Sequence, residues 1–293
     1  MAERFDRYQH RCLYDPHDGF YATGRGAGRR SRDFITSPEV GPLFGAVLAR
    51  CLTSWWHDSG EPASWVVCEA GAGRGTLERA VRAATDAEVP LKYLSVEFDD
   101  DMPDRADVIM ANELLDNLPA RVVERTETGW AELWVPEDWH PTEIELPVDV
   151  PVGVRLPVLG DAAAWVADAR SRAARVLAFD YGVATTAELA ERVWLRTYAE
   201  HRMAGDPFVE PGSVDITVDI AVDQLPRPSR LETQAEFLRR WGIDELVDEG
   251  RRIWAERAHL GDLEAVRARS RVQEAAALLD PDGLGAFLSL EWS

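Results

Sequence analysis

Glu69-Ala70-Gly71-Ala72-Gly73-Arg74-Gly75 sets an acid and three glycines between an apolar run, Trp65-Val66-Val67-Cys68, and a helical pattern from Thr76 to about Ala84. Glycine lets the backbone turn sharply and lets a ligand approach it closely. The dinucleotide fingerprint wants glycine at its first, third and sixth positions. Here the glycines fall at the first, third and fifth, and Thr76 holds the sixth. An acid two residues before such a turn fits an S-adenosylmethionine site. That ligand has no pyrophosphate to bind, and the acid can face its cationic methionine end. The alternative is a strand-to-helix turn without a ligand. Glu97 closes the next apolar run, Tyr93-Leu94-Ser95-Val96. An acid about 20 residues on, at a strand's carboxyl end, suits a ribose, because a carboxylate accepts from both hydroxyls.

A third apolar run, Val108-Ile109-Met110-Ala111, leads into Asn112, Glu113 and Asp116. A carboxylate pair after a strand could hold a guanidinium by paired hydrogen bonds and aim its nitrogen. Asn112 and Asp116 could equally cap the next helix. Asp180 ends a fourth run, Arg175-Val176-Leu177-Ala178-Phe179, on the edge where α/β sheets carry their sites. Arg196, Tyr198 and His201 lie in loop-rich text. His201 could take a proton, or be a structural histidine bonded to a carbonyl. The other five histidines show no metal-ligand spacing, so no metal is expected.

The elements that must position these groups are legible from periodicity. Four short apolar runs alternating with helical text predict a parallel sheet with helices on its faces. Ser37-Pro38 reads as an N-cap with proline at the first helical position, opening one amphipathic helix from Val40 through Trp55 to about Asp58. Thr23 to Arg32 reads as a mobile loop. Arg121 to Arg125 and Trp130 to Val135 read as a β-hairpin around Thr126-Glu127-Thr128-Gly129, and Pro136 to Pro157 as an irregular linker. Residues 161 to 174 are helical, 182 to 230 loop-rich. Thr233 with Glu236 forms a capping box for a helix through Trp241. A helix over about 244 to 258 and a last strand over 285 to 292 follow. This suggests three segments: a cap and helix over 1–60, a core with hairpin over 61–181, and a substrate-side insertion with closing elements over 182–293.

The 293 residues carry 32 basic and 52 acidic side chains, a net charge of −20, which repels nucleic acid and anionic lipid. No apolar run is long enough to span a membrane. Cys12, Cys51 and Cys68 form neither a disulfide framework nor a metal motif, and the first residues do not read as a signal peptide, so a cytoplasmic home is expected. Lys92 is the only lysine, which all but removes Schiff-base chemistry.

Longer blocks carry a resemblance. Leu13-Tyr14-Asp15-Pro16, Gly19-Phe20-Tyr21, Asp33-Phe34-Ile35-Thr36-Ser37-Pro38-Glu39, the glycine turn through Leu77, and Ala111-Asn112-Glu113-Leu114-Leu115-Asp116-Asn117-Leu118-Pro119 run in order. Phe179-Asp180-Tyr181-Gly182, Leu195 to His201, Asp206-Pro207, Pro211-Gly212, Asp215-Ile216-Thr217 and Thr233-Gln234 with Phe237-Leu238 follow. Over about residues 10 to 243 the chain resembles the MidA-like class I methyltransferases. Two departures stand out. The family's Gly-Asp-Phe reads Arg32-Asp33-Phe34. Only Phe98 to Asp107 lie where members have a further helix and strand that support adenine.

The resemblance implies a Rossmann-like α/β methyltransferase sheet with an N-terminal helical cap and a helical and loop insertion. It implies S-adenosyl-L-methionine as cofactor, held by Thr36, Ser37, Pro38, Glu69, Gly71, Gly73, Gly75, Glu97 and Asn112. It implies Glu113, Asp116, His201 and Asp180 as catalytic candidates, and a protein arginine as acceptor. A small-molecule methyltransferase and a non-catalytic assembly factor remain as alternatives, and a homodimer stays open.

Overall fold

The computed structural model describes residues 2–22, 36–97, 100–199, 202–203 and 206–293. The Thr23–Arg32 loop expectation and His201 fall outside the described residues. The chain forms two compact units, each drawn from three stretches. One is Met1–Phe34, Glu113–Ser171 and Asp180–Pro228; the other is Ile35–Asn112, Arg172–Phe179 and Ser229–Ser293. The segments 1–60, 61–181 and 182–293 do not coincide with them. The first 60 residues divide because Gln9, on the Phe5–Tyr14 helix, is stitched into the first unit. Its Nε2 donates to the Ile216 carbonyl at 3.1 Å, and its Oε1 accepts from Ala120 N–H at 2.9 Å.

The second unit is built on six strands: β1 (Trp65–Ala70), β2 (Leu91–Val96), β3 (Ala106–Asn112), β4 (Ala173–Asp180), β5 (Arg230–Thr233) and β6 (Leu288–Trp292). Their order is β5-β6-β4-β3-β1-β2. The pairs β1–β2, β1–β3 and β3–β4 are parallel, whereas β5 and β6 are antiparallel. The chain leaves β1 for one side and returns on the other, so β1 and β3 flank a topological switch point. The register Ala70↔Val96, Ala70↔Ala111 and Asn112↔Phe179 brings four carboxyl ends level. β2 is an edge strand, and residues 100–105 hold no helix or strand before β3.

Beside a one-turn helix at Ser37–Val40, the described residues of this unit form five longer helices: α1 (Pro42–Asp58), α2 (Thr76–Ala84), α3 (Gln234–Arg240), α4 (Ile243–Arg257) and α5 (Leu263–Leu278). The single helix expected from Ser37 is broken: Ser37–Val40 is a turn of its own. Pro42 lacks an N–H and disfavours helical geometry at Gly41, so α1 starts afresh there. Gly45 lets α1 meet α2, since a Cβ there would come within 2.4 Å of the Ala80 Cβ. The core runs through Phe44, Phe179 and Phe237, whose rings pack edge to face at 5.3 Å and 4.9 Å. The capping box is formed as expected: Glu236 N–H donates to Thr233 Oγ1 at 3.2 Å and Thr233 N–H to Glu236 Oε2 at 2.8 Å.

In the first unit the hairpin pairs Thr126 with Gly129, leaving only Glu127 and Thr128 in its loop. The stretch read as a linker instead supplies two strands, Asp138–Thr142 and Arg155–Val158, which pair on either side of the hairpin. Its prolines misled the reading. Pro141 and Pro157 sit on edge strands, where a missing N–H is tolerated. The loop-rich region also holds a small sheet, Leu195–Ala199 between Arg202–Met203 and Asp215–Val218. The Leu263–Leu278 helix is a further element that sequence reading missed.

Candidate active site

The glycine turn follows the carboxyl end of β1. Gly71 N–H donates to the Val96 carbonyl at 2.8 Å and Gly75 N–H to the Ala72 carbonyl at 3.0 Å, which ties the turn to the end of β2. Gly71, Gly73 and Gly75 have φ of +70°, +54° and +65°. Other L-residues pay roughly 1–2 kcal/mol for that left-handed geometry. A Cβ on Gly73 would meet nothing within 4 Å. The backbone therefore borders open space, and the fold itself does not fill it.

Glu69 is buried, and Tyr93 Oη donates to its Oε2 at 2.7 Å. Burial pushes this carboxyl up to about 7; Glu78 and Glu97 add to the rise, and the Tyr93 hydrogen bond opposes it. Glu97 is anchored on the same turn, for the Gly73 N–H donates to its carboxylate. Its own N–H donates to Asp100 Oδ2 at 2.9 Å. Partial desolvation raises the Glu97 carboxyl above its ordinary value. A buried acid with one hydroxyl donor, an open backbone turn and a second acid at the next strand end fit a ligand with a cationic amino-acid end and a vicinal diol.

Asn112 closes β3 and is half-buried. Ser37 has another task. Its Oγ donates to Gln234 Oε1 at 2.8 Å, both residues fully buried, and this fixes the Ser37–Val40 turn to α3. Thr36 is half-exposed and its hydroxyl makes no cap, while Pro38 is buried.

The first unit gathers the acids. Asp180 is wholly buried, and its carboxylate accepts backbone N–H bonds from Leu115 at 2.7 Å, Asp116 at 3.3 Å and Tyr181 at 2.9 Å, with Leu114 contributing as well. Asp180 thus shapes the turn that carries Asp116. Burial pushes it up to about 7 against these donors. Asp116 is also buried, and its Oδ1 has no hydrogen-bond partner. Burial, then Asp180, Asp215 and Glu113, push it well above the carboxylate range, with Arg196 opposing. Asp116 caps nothing: Leu115–Asn117 is a single 3-10 turn without a side-chain cap. Glu113 is half-buried with φ of +52°, a left-handed geometry that is strained for a residue with a Cβ.

Asp215, missed in sequence, is the fourth acid. Its Oδ1 lies 3.0 Å from Asn117 Nδ2 and 3.2 Å from Tyr21 Oη, and burial raises it to about 6. Opposite it on the neighbouring strand stands Tyr198. The Arg196 guanidinium lies 5.0 Å over the Tyr181 ring and is bonded to the buried Asp219, which also meets Arg192 at 3.0 Å. A lone acid in apolar strand text, as in Asp215-Ile216-Thr217-Val218, was the available signal for Asp215.

No helix of the described residues is long and apolar enough to cross a membrane, and no cluster there could hold a metal ion. The family model described as "Putative S-adenosyl-L-methionine-dependent methyltransferase" matches residues 78–151 and 148–239, more than half of the chain. The Mus musculus protein named Protein arginine methyltransferase NDUFAF7, mitochondrial, is 24% identical over 314 residues, covering 81% of this chain and 70% of its own. The Drosophila melanogaster homologue is 24% identical over 278 residues, covering 73% and 63%. A Burkholderia thailandensis protein solved with S-adenosyl-homocysteine bound superposes with a TM-score of 0.77 at 24% identity, covering all of this chain and 88% of that one. A native structure from the same organism gives a TM-score of 0.79. That likeness shows the same fold, a class I methyltransferase sheet. The chain belongs to the S-adenosyl-L-methionine-dependent methyltransferase family.

Proposed function

We propose that this protein transfers a methyl group from S-adenosyl-L-methionine to a guanidinium nitrogen of a protein arginine. The observation that carries the acceptor is the cluster of three buried acids, Asp116, Asp180 and Asp215, with the half-buried Glu113, beside Tyr181. A planar cation suits carboxylates that accept paired hydrogen bonds and a ring that receives it face-on. Arg196 already lies over Tyr181 in that manner. A cation among these acids would offset the mutual repulsion that, with burial, raises Asp116 above the carboxylate range. The names of the mouse and fly relatives support the same reading.

S-adenosyl-L-methionine supplies an electrophilic methyl carbon on a sulfonium. Glu69 would face its cationic amino-acid end, Glu97 its ribose, and the glycine turn its length. Asp180 holds the Leu114–Asp116 turn in shape, and the acids hold and orient the acceptor. The proposal extends to a reducing compartment, the cytosol, because Cys12, Cys51 and Cys68 are all free and buried.

The test is a methyl-transfer assay with radiolabelled cofactor on lysate from cells lacking this protein, then mass spectrometry of the labelled product. Methylarginine in a protein is the expected outcome. Label on a small metabolite, or none, would overturn the acceptor assignment.

A further inference from the structure

We propose that Asp116 is the group that takes the proton from the acceptor nitrogen, and that it holds a proton of its own until a cationic acceptor arrives. This rests on the arginine reading above and assigns within it the proton-accepting role that the sequence offered to His201.

The other acids are committed. Asp180 accepts from four backbone N–H groups, so protonating it would break the turn it supports. Asp215 is engaged by Asn117 and Tyr21. The buried Asp219 has Arg192 and Arg196 as its counter-charges. Of Asp116, Asp180 and Asp215, Asp116 alone has a carboxylate oxygen that is both buried and without a hydrogen-bond partner. An ionised carboxylate left so would be costly, whereas a neutral one is tolerated. The groups facing it agree. Asp180, Asp215 and Glu113 oppose its ionisation, and Arg196 favours it. Arg196 is itself bonded to Asp219. Tyr21, Tyr181 and Tyr198 are held neutral by burial and by these acids, so they offer rings and hydroxyls without charge.

An incoming guanidinium reverses this balance. Its positive charge stabilises the carboxylate, and Asp116 loses its proton to solvent. The acceptor nitrogen then bonds to the methyl carbon as the carbon–sulfur bond breaks, and the sulfur leaves as a neutral thioether with that electron pair. The nitrogen must shed one proton to remain a guanidinium of single charge. That proton passes to Asp116 Oδ1, while the N–H electron pair stays on nitrogen. The cycle thus returns Asp116 to its neutral form.

Infrared difference spectroscopy on the full chain tests this without turnover. At neutral pH the wild type should show the C=O stretch of a protonated carboxylic acid that is absent from Asp116→Asn. Saturating Nα-acetyl-arginine amide should remove that band from the wild type. The wild-type response needs no variant, so a poorly folded Asp116→Asn does not block the test. Glu69 and Asp180 contribute to both spectra, so a wild-type carboxylic-acid band that a folded Asp116→Asn matches in full overturns the proposal. If arginine amide leaves the band but another cationic amine removes it, the proton role of Asp116 stands and the arginine reading fails.

Discussion

On the function proposed above, the glycine turn in one unit and the acid cluster in the other would recognise their ligands by opposite means. The turn uses backbone shape: three left-handed glycines, open space beside Gly73, and acids on strand ends. The cluster uses charge: three buried carboxylates crowd one another, and the fold tolerates them through backbone N–H groups, tyrosines and one arginine. A shape site can be complete before its ligand arrives. A charge site of this kind holds a proton in the cation's place until a cation fills it. The first suits a cofactor that must always fit; the second suits an acceptor that must be told apart from neutral molecules.

The contrast breaks most sharply at Asp116. Asp116→Asn should lower methyl transfer about 100-fold or more, the typical loss on removing one proton-transfer group. Initial rates with radiolabelled cofactor measure it; a rate within a few-fold of wild type would make the cluster a structural feature only.

Asp180 sharpens the same region from the folding side. Asp180→Asn cannot accept from all four backbone donors, and each unsatisfied one is costly when buried. A loss of about 2–3 kcal/mol in urea-unfolding free energy is expected, with cofactor affinity retained in the folded fraction. An unchanged midpoint would deny Asp180 its turn-shaping role.

On the shape side, Gly73→Val should weaken cofactor binding at least tenfold, since the side chain enters the open space and strains φ by roughly 1–2 kcal/mol. Calorimetry reads the affinity. Equal affinity in the variant would remove the turn from the site.

The smallest effect is one of pH. Glu69 has a folded value near 7 against an ordinary carboxylate value of 4.5. Between those values the ligand-free protein holds a proton that the unfolded chain has lost. Its stability should therefore fall as pH rises from about 5 to 8. Cofactor affinity should do the reverse, rising up to about tenfold from pH 6 to 8 as the carboxylate forms. Glu69→Gln should flatten that slope. An equal slope in the variant would assign the titration elsewhere.

The same contrast explains what the sequence could reveal. The turn is local: Glu69 to Gly75 and Glu97 are read in order, and periodicity places β1, α2 and β2 within a residue or two. The cluster is assembled from residues 21, 113, 116, 180, 196 and 215, whose meeting depends on strand pairing and on Asp180 folding its turn. No local pattern marks Asp215 as the neighbour of Asp116. Ser37 failed differently. Its block was recognisable, but its hydroxyl is used by Gln234, nearly 200 residues away. The two strands inside residues 136–157 were hidden because proline signals a break, except on an edge.

Separation of the two recognition modes is tested most directly by titrating S-adenosyl-homocysteine into folded Asp116→Asn by calorimetry. The expected dissociation constant lies within about twofold of wild type, well below one power of ten, or 1.4 kcal/mol. A loss as large as that of Gly73→Val would contradict it, because the acid cluster would then be part of the cofactor site.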